Sequence, residues 1–218
     1  MKKVLITGTG RGIGWATAEK FLNEGYFVVG TSTSGQSMIK RQNYECYQLQ
    51  LESEISIDSS AEQIFSKHPQ FDLFISNAGF ADAENTGLDL SILRKTLEVN
   101  VIGTIAFAQK AIKAVSNGGR AIFLGSIMGS VTRADEFNYP SYRISKAGLH
   151  MYSKLLSLDV ADRNIQVITL HPGWVKTDSG GPDAPKTAEK AAQELYNLAI
   201  QKDLETGTFW NETVAEAW

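Results

Sequence analysis

The 218 residues, at about 150 per domain, read as one compact domain, and 21 basic against 24 acidic residues with 43% hydrophobic content exclude a disordered chain and one that binds nucleic acid through a positive excess. One cysteine, Cys46, excludes an internal disulfide framework and points to a reducing, cytoplasmic setting. No apolar run is long enough to span a membrane, and Val4-Leu5-Ile6 after Lys2-Lys3 is too short for a signal peptide.

In chain order, Val4-Leu5-Ile6 reads as a buried strand, followed at once by four glycines. A helix follows over 15–23, with Gly25 placed to stop it. Residues 27–29 form a second strand, 31–37 a polar loop and 45–51 a third strand. Asp58 is placed to cap a helix that runs through Lys67. A fourth strand spans 71–76, a long helix 91–115, a fifth strand 120–124, a helix 142–163 and a sixth strand 165–170. Gly180-Gly181-Pro182 marks a loop; a last helix covers 187–201 and a short strand 208–210. Strands alternating with helices predict an α/β fold: a doubly wound parallel sheet of about seven strands, helices on both faces, in a single domain over 1–218.

The first strand–helix junction is Thr7-Gly8-Thr9-Gly10-Arg11-Gly12-Ile13-Gly14. Glycines there permit positive φ and close approach of a pyrophosphate, and the helix N-terminus offers free N–H groups to phosphate. Alone, this is also what an ordinary glycine-rich turn looks like. An NAD-selective site places a carboxylate after the second strand. Here that position falls in Gly30-Thr31-Ser32-Thr33-Ser34, with hydroxyl donors and no acid. Arg11 adds positive charge. NADP (NADPH) is therefore favoured over NAD.

Tyr142 and Lys146 are four apart, so a helix puts them on one face. A free tyrosine, pKa about 10, is a poor acid–base at neutral pH. A nearby ammonium lowers that pKa, and the pair can then hand a proton to a carbonyl oxygen. Ser126 follows the fifth strand, Asn77-Ala78-Gly79 the fourth and His171-Pro172-Gly173 the sixth. All reach the edge where open α/β sheets bind ligands.

These motifs, with Asn100, resemble the short-chain dehydrogenase/reductases in type and order over nearly the whole chain. Tyr142-Arg143-Ile144-Ser145-Lys146-Ala147 and Pro172-Gly173-Trp174-Val175-Lys176-Thr177-Asp178 resemble the sniffer-type carbonyl reductases and the bacterial C-factor group. The resemblance implies a Rossmann-type sheet and four catalytic residues. Tyr142 is the general acid, Lys146 lowers its pKa and holds the nicotinamide ribose, and Ser126 polarises the carbonyl. Asn100 kinks the long helix and supports a water to Lys146. It also implies that Val175 and Thr177 contact the nicotinamide carboxamide. Gln50 and Leu51 stand at the adenine position, where Gln50 replaces the usual Asp. The 16 residues from Ser126 to Tyr142 are a lengthened loop beside the substrate.

His68 reads as a solvated cap, and His150 as a packing or dimer residue. Trp174 is left open between a substrate contact and packing of its loop. No histidines or carboxylates have metal-ligand spacing, so no metal site is expected. The expected function is an NADPH-dependent reductase of carbonyl substrates. The short segment 179–186 would leave the substrate site open. An NAD(P)-binding signalling protein of the C-factor type, with little turnover, is the alternative. A homodimer or homotetramer through the long helices is the family expectation, with neither a nucleic acid nor a membrane as partner.

Overall fold

The computed structural model describes residues 1–81, 87–216 and 218. Its strands are β1 (Lys3–Ile6), β2 (Phe27–Ser32), β3 (Tyr44–Gln48), β4 (Phe71–Ser76), β5 (Val115–Leu124), β6 (Gln166–His171), β7 (Thr208–Asn211) and β8 (Val214–Glu216). The helices are α1 (Gly12–Asn23), α2 (Glu54–Lys67), α3 (Leu90–Leu97), α4 (Thr104–Ala114), α5 (Pro140–Asp159) and α6 (Ala188–Ile200). The strands form one sheet in the order β3-β2-β1-β4-β5-β6-β7-β8. All neighbours are parallel except β7 and β8. This is the doubly wound Rossmann-type architecture.

Period-2 alternation sends successive residues of each strand to opposite faces. Leu5, Val29, Phe74, Phe123 and Val167 pack under α2, α4 and α5. Val4, Ile6, Val28, Ile75, Ile122 and Ile168 pack under α1 and α6. Arg120 is a buried charge within β5, where its pairing with β6 begins. It bonds Gln166 Oε1 and the carbonyls of Leu198, Ala199 and Gln201, closing the C-terminus of α6.

Several elements differ from expectation. Ser53, not Asp58, caps α2; its side chain accepts from Ser56 N, and the helix starts one turn earlier. The helix expected over 91–115 is broken by a π-helical turn, Glu98–Gly103, between α3 and α4. Its last residue leaves the helix, because Val115 already pairs with Phe71 as the start of β5. β8 is an added edge strand, three residues long and mostly exposed, with too little alternation to be seen in the sequence. His68 is buried rather than solvated: Nε2 meets Glu45 Oε2 at 3.1 Å.

Candidate active site

Strand order reverses between β1 and β4, and a cleft of about 610 Å³ opens at the carboxyl ends of the strands there. Location and size suit a small-molecule site. Gly8 and Gly12 have φ of 75° and 58°, where a side chain is strained. At Gly14 a Cβ would overlap Gly8 O and Asn77 Nδ2. The turn is tied down from both sides. Thr9 N donates to Thr31 O at 2.7 Å, and the Thr9 and Tyr44 hydroxyls are 2.8 Å apart. Asn77 Nδ2 donates to Thr7 O at 2.9 Å and Gly8 O at 3.1 Å.

α1 begins at Gly12 with Arg11 as N-cap, and no side chain caps it. Its first-turn N–H groups have no intrahelical partner, and their residues line the cleft. Ser32, Thr33, Ser34 and Gln36 continue the wall at the end of β2. An uncapped helix N-terminus, a glycine floor that a Cβ would fill and hydroxyl donors without an acid fit a phosphate-bearing dinucleotide. Arg11 Nη1 meets Asp178 Oδ2 at 2.7 Å across the mouth; both are exposed.

Tyr142 and Lys146, one turn apart on α5, face the same cleft. Lys146 Nζ is 5.5 Å from the Tyr142 ring centroid and donates to Leu124 O at 2.7 Å. Burial pushes the Tyr142 phenol up to about 12, against a hydrogen bond with Ser126 that lowers it. Burial also pulls the Lys146 ammonium down to about 8. The expected lowering of the phenol by Lys146 is absent here. The ammonium is turned to Leu124 O, and desolvation dominates both groups.

Ser126 caps a 3₁₀ turn, Ile127–Gly129, and its Oγ accepts from Met128 N at 3.2 Å. Asn100 lies buried in the π turn. Its Oδ1 accepts from Phe80 N at 2.6 Å, and Nδ2 donates to Phe80 O at 2.8 Å and Ser145 Oγ at 3.0 Å. It thus clamps the segment after β4 onto α5. A Cβ at Gly79 would come 3.3 Å from Asn100 Oδ1 and 3.9 Å from Lys146 Nζ. Glycine there leaves the approach to Lys146 open. Behind Pro172, buried Lys186 Nζ donates to Pro172 O at 3.0 Å, Glu194 Oε2 at 2.6 Å and Glu212 Oε2 at 2.5 Å.

Most of the expected residues line one cleft: Gly8, Gly10, Arg11, Gly12, Ile13 and Gly14 of the turn, Ser32, Thr33, Asn77, Ala78, Gly79, Tyr142, Lys146, Pro172 and Thr177. Asn100, Ser126, Gly173 and Val175 are not among its lining residues, nor are Gln50 and Leu51, though Ser126 hydrogen-bonds the lining Tyr142. Gln50 Nε2 reaches Thr33 O at 3.5 Å, and Leu51 is buried against Gly103. Trp174 packs its loop: Nε1 donates to Gly180 O at 2.7 Å. Among the wall residues that the sequence reading missed, Phe80 and Ala81 follow Gly79, and Asp178 and Ser179 follow Thr177, so extending those motifs would have found them; Gln36, Leu124 and Gly125 have no such neighbour before them. Lys186 carried no such signal. Among the described residues no cluster of three His, Cys, Asp or Glu could hold a metal. No helix among them is long and apolar enough to cross a membrane.

Comparison with known proteins gives the family and supports the fold. The short chain dehydrogenase family model matches residues 2–211. The 3-oxoacyl-(acyl-carrier-protein) reductase of Aquifex aeolicus is 30% identical over 89% of this chain and 82% of its own length. Among solved structures, the NADPH-bound carbonyl reductase from chicken fatty liver superposes with a TM-score of 0.89 at 26% identity, covering 100% of this chain and 99% of that one. The carbonyl reductase Sniffer of Drosophila melanogaster gives 0.88 at 24% identity, with both chains fully covered. The chain belongs to the short-chain dehydrogenase family. It is an NAD(P)-dependent oxidoreductase.

Proposed function

We propose that this protein is an NADPH-dependent reductase of aldehydes, ketones or quinones. The observation that carries the reading is the meeting of Tyr142 and Lys146 with the uncapped α1 N-terminus in one cleft. Arg11, Ser32 and Thr33 would hold the 2′-phosphate, the α1 N-terminus the pyrophosphate, and Lys146 with Thr177 the nicotinamide end. Bound NADPH supplies the hydride. Tyr142 holds its proton at neutral pH, the form a general acid needs, and delivers it from Oη to the carbonyl oxygen. Ser126 Oγ donates a hydrogen bond to that oxygen. Lys146, charged below about pH 8, would stabilise the phenolate left behind once its ammonium turns from Leu124 O toward Tyr142 Oη. Asn100 supports the route by which a proton returns to the site.

The substrate segment 179–186 is short, which supports an open site. Assembly through α5 is part of the proposal. Ile144, Met151, Leu155 and Leu158 form one exposed apolar stripe along it, with Ile102 exposed on the π turn. The single free Cys46 supports a cytoplasmic location. The test is consumption of NADPH and NADH with a panel of aldehydes, ketones, quinones and an acetoacetyl thioester. Turnover of the carbonyl compounds, with NADPH preferred by about tenfold or more, is expected, since the phosphate adds charge-assisted hydrogen bonds. Turnover confined to the thioester would move the protein to the 3-oxoacyl reductase reading.

A further inference from the structure

His150 lies on α5 one turn beyond Lys146 and is buried. Its Nε2 accepts the backbone N–H of Ser126 at 3.2 Å. The segment Gly125-Ser126-Ile127-Met128-Gly129 wraps around the ring. A Cβ at Gly125 would lie 2.5 Å from His150 Nε2, and one at Gly129 2.9 Å from Cε1. The other side of the imidazole meets Phe209 and Trp218, with ring centroids 4.8 and 5.6 Å away.

Because an N–H donates to Nε2, that nitrogen carries no proton, and Nδ1 carries it instead. Nδ1 is buried with no hydrogen-bond partner among the described residues. Leaving such a donor unsatisfied is costly. An apolar side chain of similar size would avoid that cost but would orphan the Ser126 amide. Burial, with the charges of Lys146 and His171 nearby, pulls His150 down to about 4, so it stays a neutral acceptor at pH 7.

We infer that His150 is a positioning residue: as the Nδ1–H tautomer it holds the Ser126 backbone and so sets where Ser126 Oγ meets the substrate oxygen. This rests on the proposed role of Ser126 as donor to that oxygen. Gly125 and Gly129 leave room for the ring, as they do for Thr169 and for the α5 backbone at Lys146 and Ala147. Phe209 and Trp218 fix the ring plane, which links the C-terminal strands to the active site.

The test is a double-mutant cycle on the full chain, with 4-nitrobenzaldehyde as substrate. The variants are His150→Met, His150→Gln, Ser126→Ala and the Ser126→Ala/His150→Met double. Each is measured for kcat, KM and, by fluorescence, NADPH Kd. Ser126→Ala is expected to lower kcat about 100-fold, as loss of an oxyanion donor does. His150→Met should lower kcat about tenfold or more through misplacement, with NADPH Kd changed less than about twofold. His150→Gln, whose amide oxygen reaches as far as Nε2, should recover most of that loss. In the Ser126→Ala background, His150→Met should cost less than about twofold.

Equal losses in both backgrounds would overturn the inference, as would a parallel collapse of NADPH binding. An unchanged kcat in Ser126→Ala would instead overturn the role of Ser126 and the inference with it. Should the Met variant fail to fold, 15N NMR of the wild-type imidazole decides. A protonated Nε2 refutes the contact, and a bare Nε2 with protonated Nδ1 supports it.

Discussion

Tyr142 and Lys146 are moved in opposite directions by the same burial. The phenol rises to about 12 and the ammonium falls to about 8. The acid therefore stays protonated through the working range, while its cationic partner discharges near pH 8. Deprotonating Lys146 removes the charge that stabilises the phenolate, so kcat for reduction should fall as pH rises through about 8. Lys146→Arg keeps its charge there. A pH profile of that variant should be lower overall and lack the alkaline fall. His150 gives a second, acid-side signature. Its folded pKa lies below the ordinary 6.5, so the unfolded chain takes up the proton first. The stability present above pH 6.5 is lost as pH falls toward 4, by about 3 kcal/mol for this group. Urea unfolding at neutral and acid pH should show a smaller loss for His150→Met than for wild type. The residues legible in the sequence were those with a fixed chemical type at a fixed spacing: the glycines, Tyr142, Lys146 and Asn77. Lys186 and His150 were not legible as site supports. Their partners, Pro172 O and Ser126 N, are backbone atoms that any residue carries.

At the scale of elements, the alternation of strands and helices was readable because parallel strands buried on both faces are short apolar runs. The boundaries were less so. The N-terminus of α2 offers both Ser53 and Asp58 as capping types, and Ser53 takes the role by accepting from Ser56 N. The π turn has no period of its own, so 91–115 looked like one helix. Gly103 explains why the turn can sit there: a Cβ would overlap the carbonyl of Leu51. Gly103→Ala must push Leu51 or the turn away. It should destabilise the fold by about 3 kcal/mol or more, read as a lowered urea midpoint. Because Asn100 sits in the same turn, the variant should also lose activity at temperatures where it stays folded. Arg120 tests a second element junction. Arg120→Met leaves the carbonyls of Leu198, Ala199 and Gln201 without their donor, and about 1–3 kcal/mol of destabilisation is expected from the unsatisfied acceptors.

At the scale of the molecule, the strand order brings the ends of β1, β2, β4, β5 and β6 to one edge, so residues from 8 to 179 meet in one cleft. That convergence was legible because each strand ended in a small or polar residue. Its coverage was not: the loop after Ser126 is tied to β8 by Arg133 and Glu216 at 2.7 Å, a contact across 83 residues. The stripe on α5 predicts self-association. Light scattering should show an assembly larger than one chain, reduced to a monomer by Met151→Asp with Leu155→Asp. Carbonyl reduction should require both Tyr142 and NADPH. Its most direct test is the loss of NADPH fluorescence with an aldehyde, ketone and quinone panel, wild type beside Tyr142→Phe. Wild type should turn over, with a drop of about 100- to 10,000-fold in the variant and NADPH binding retained. Equal turnover by both proteins would contradict it.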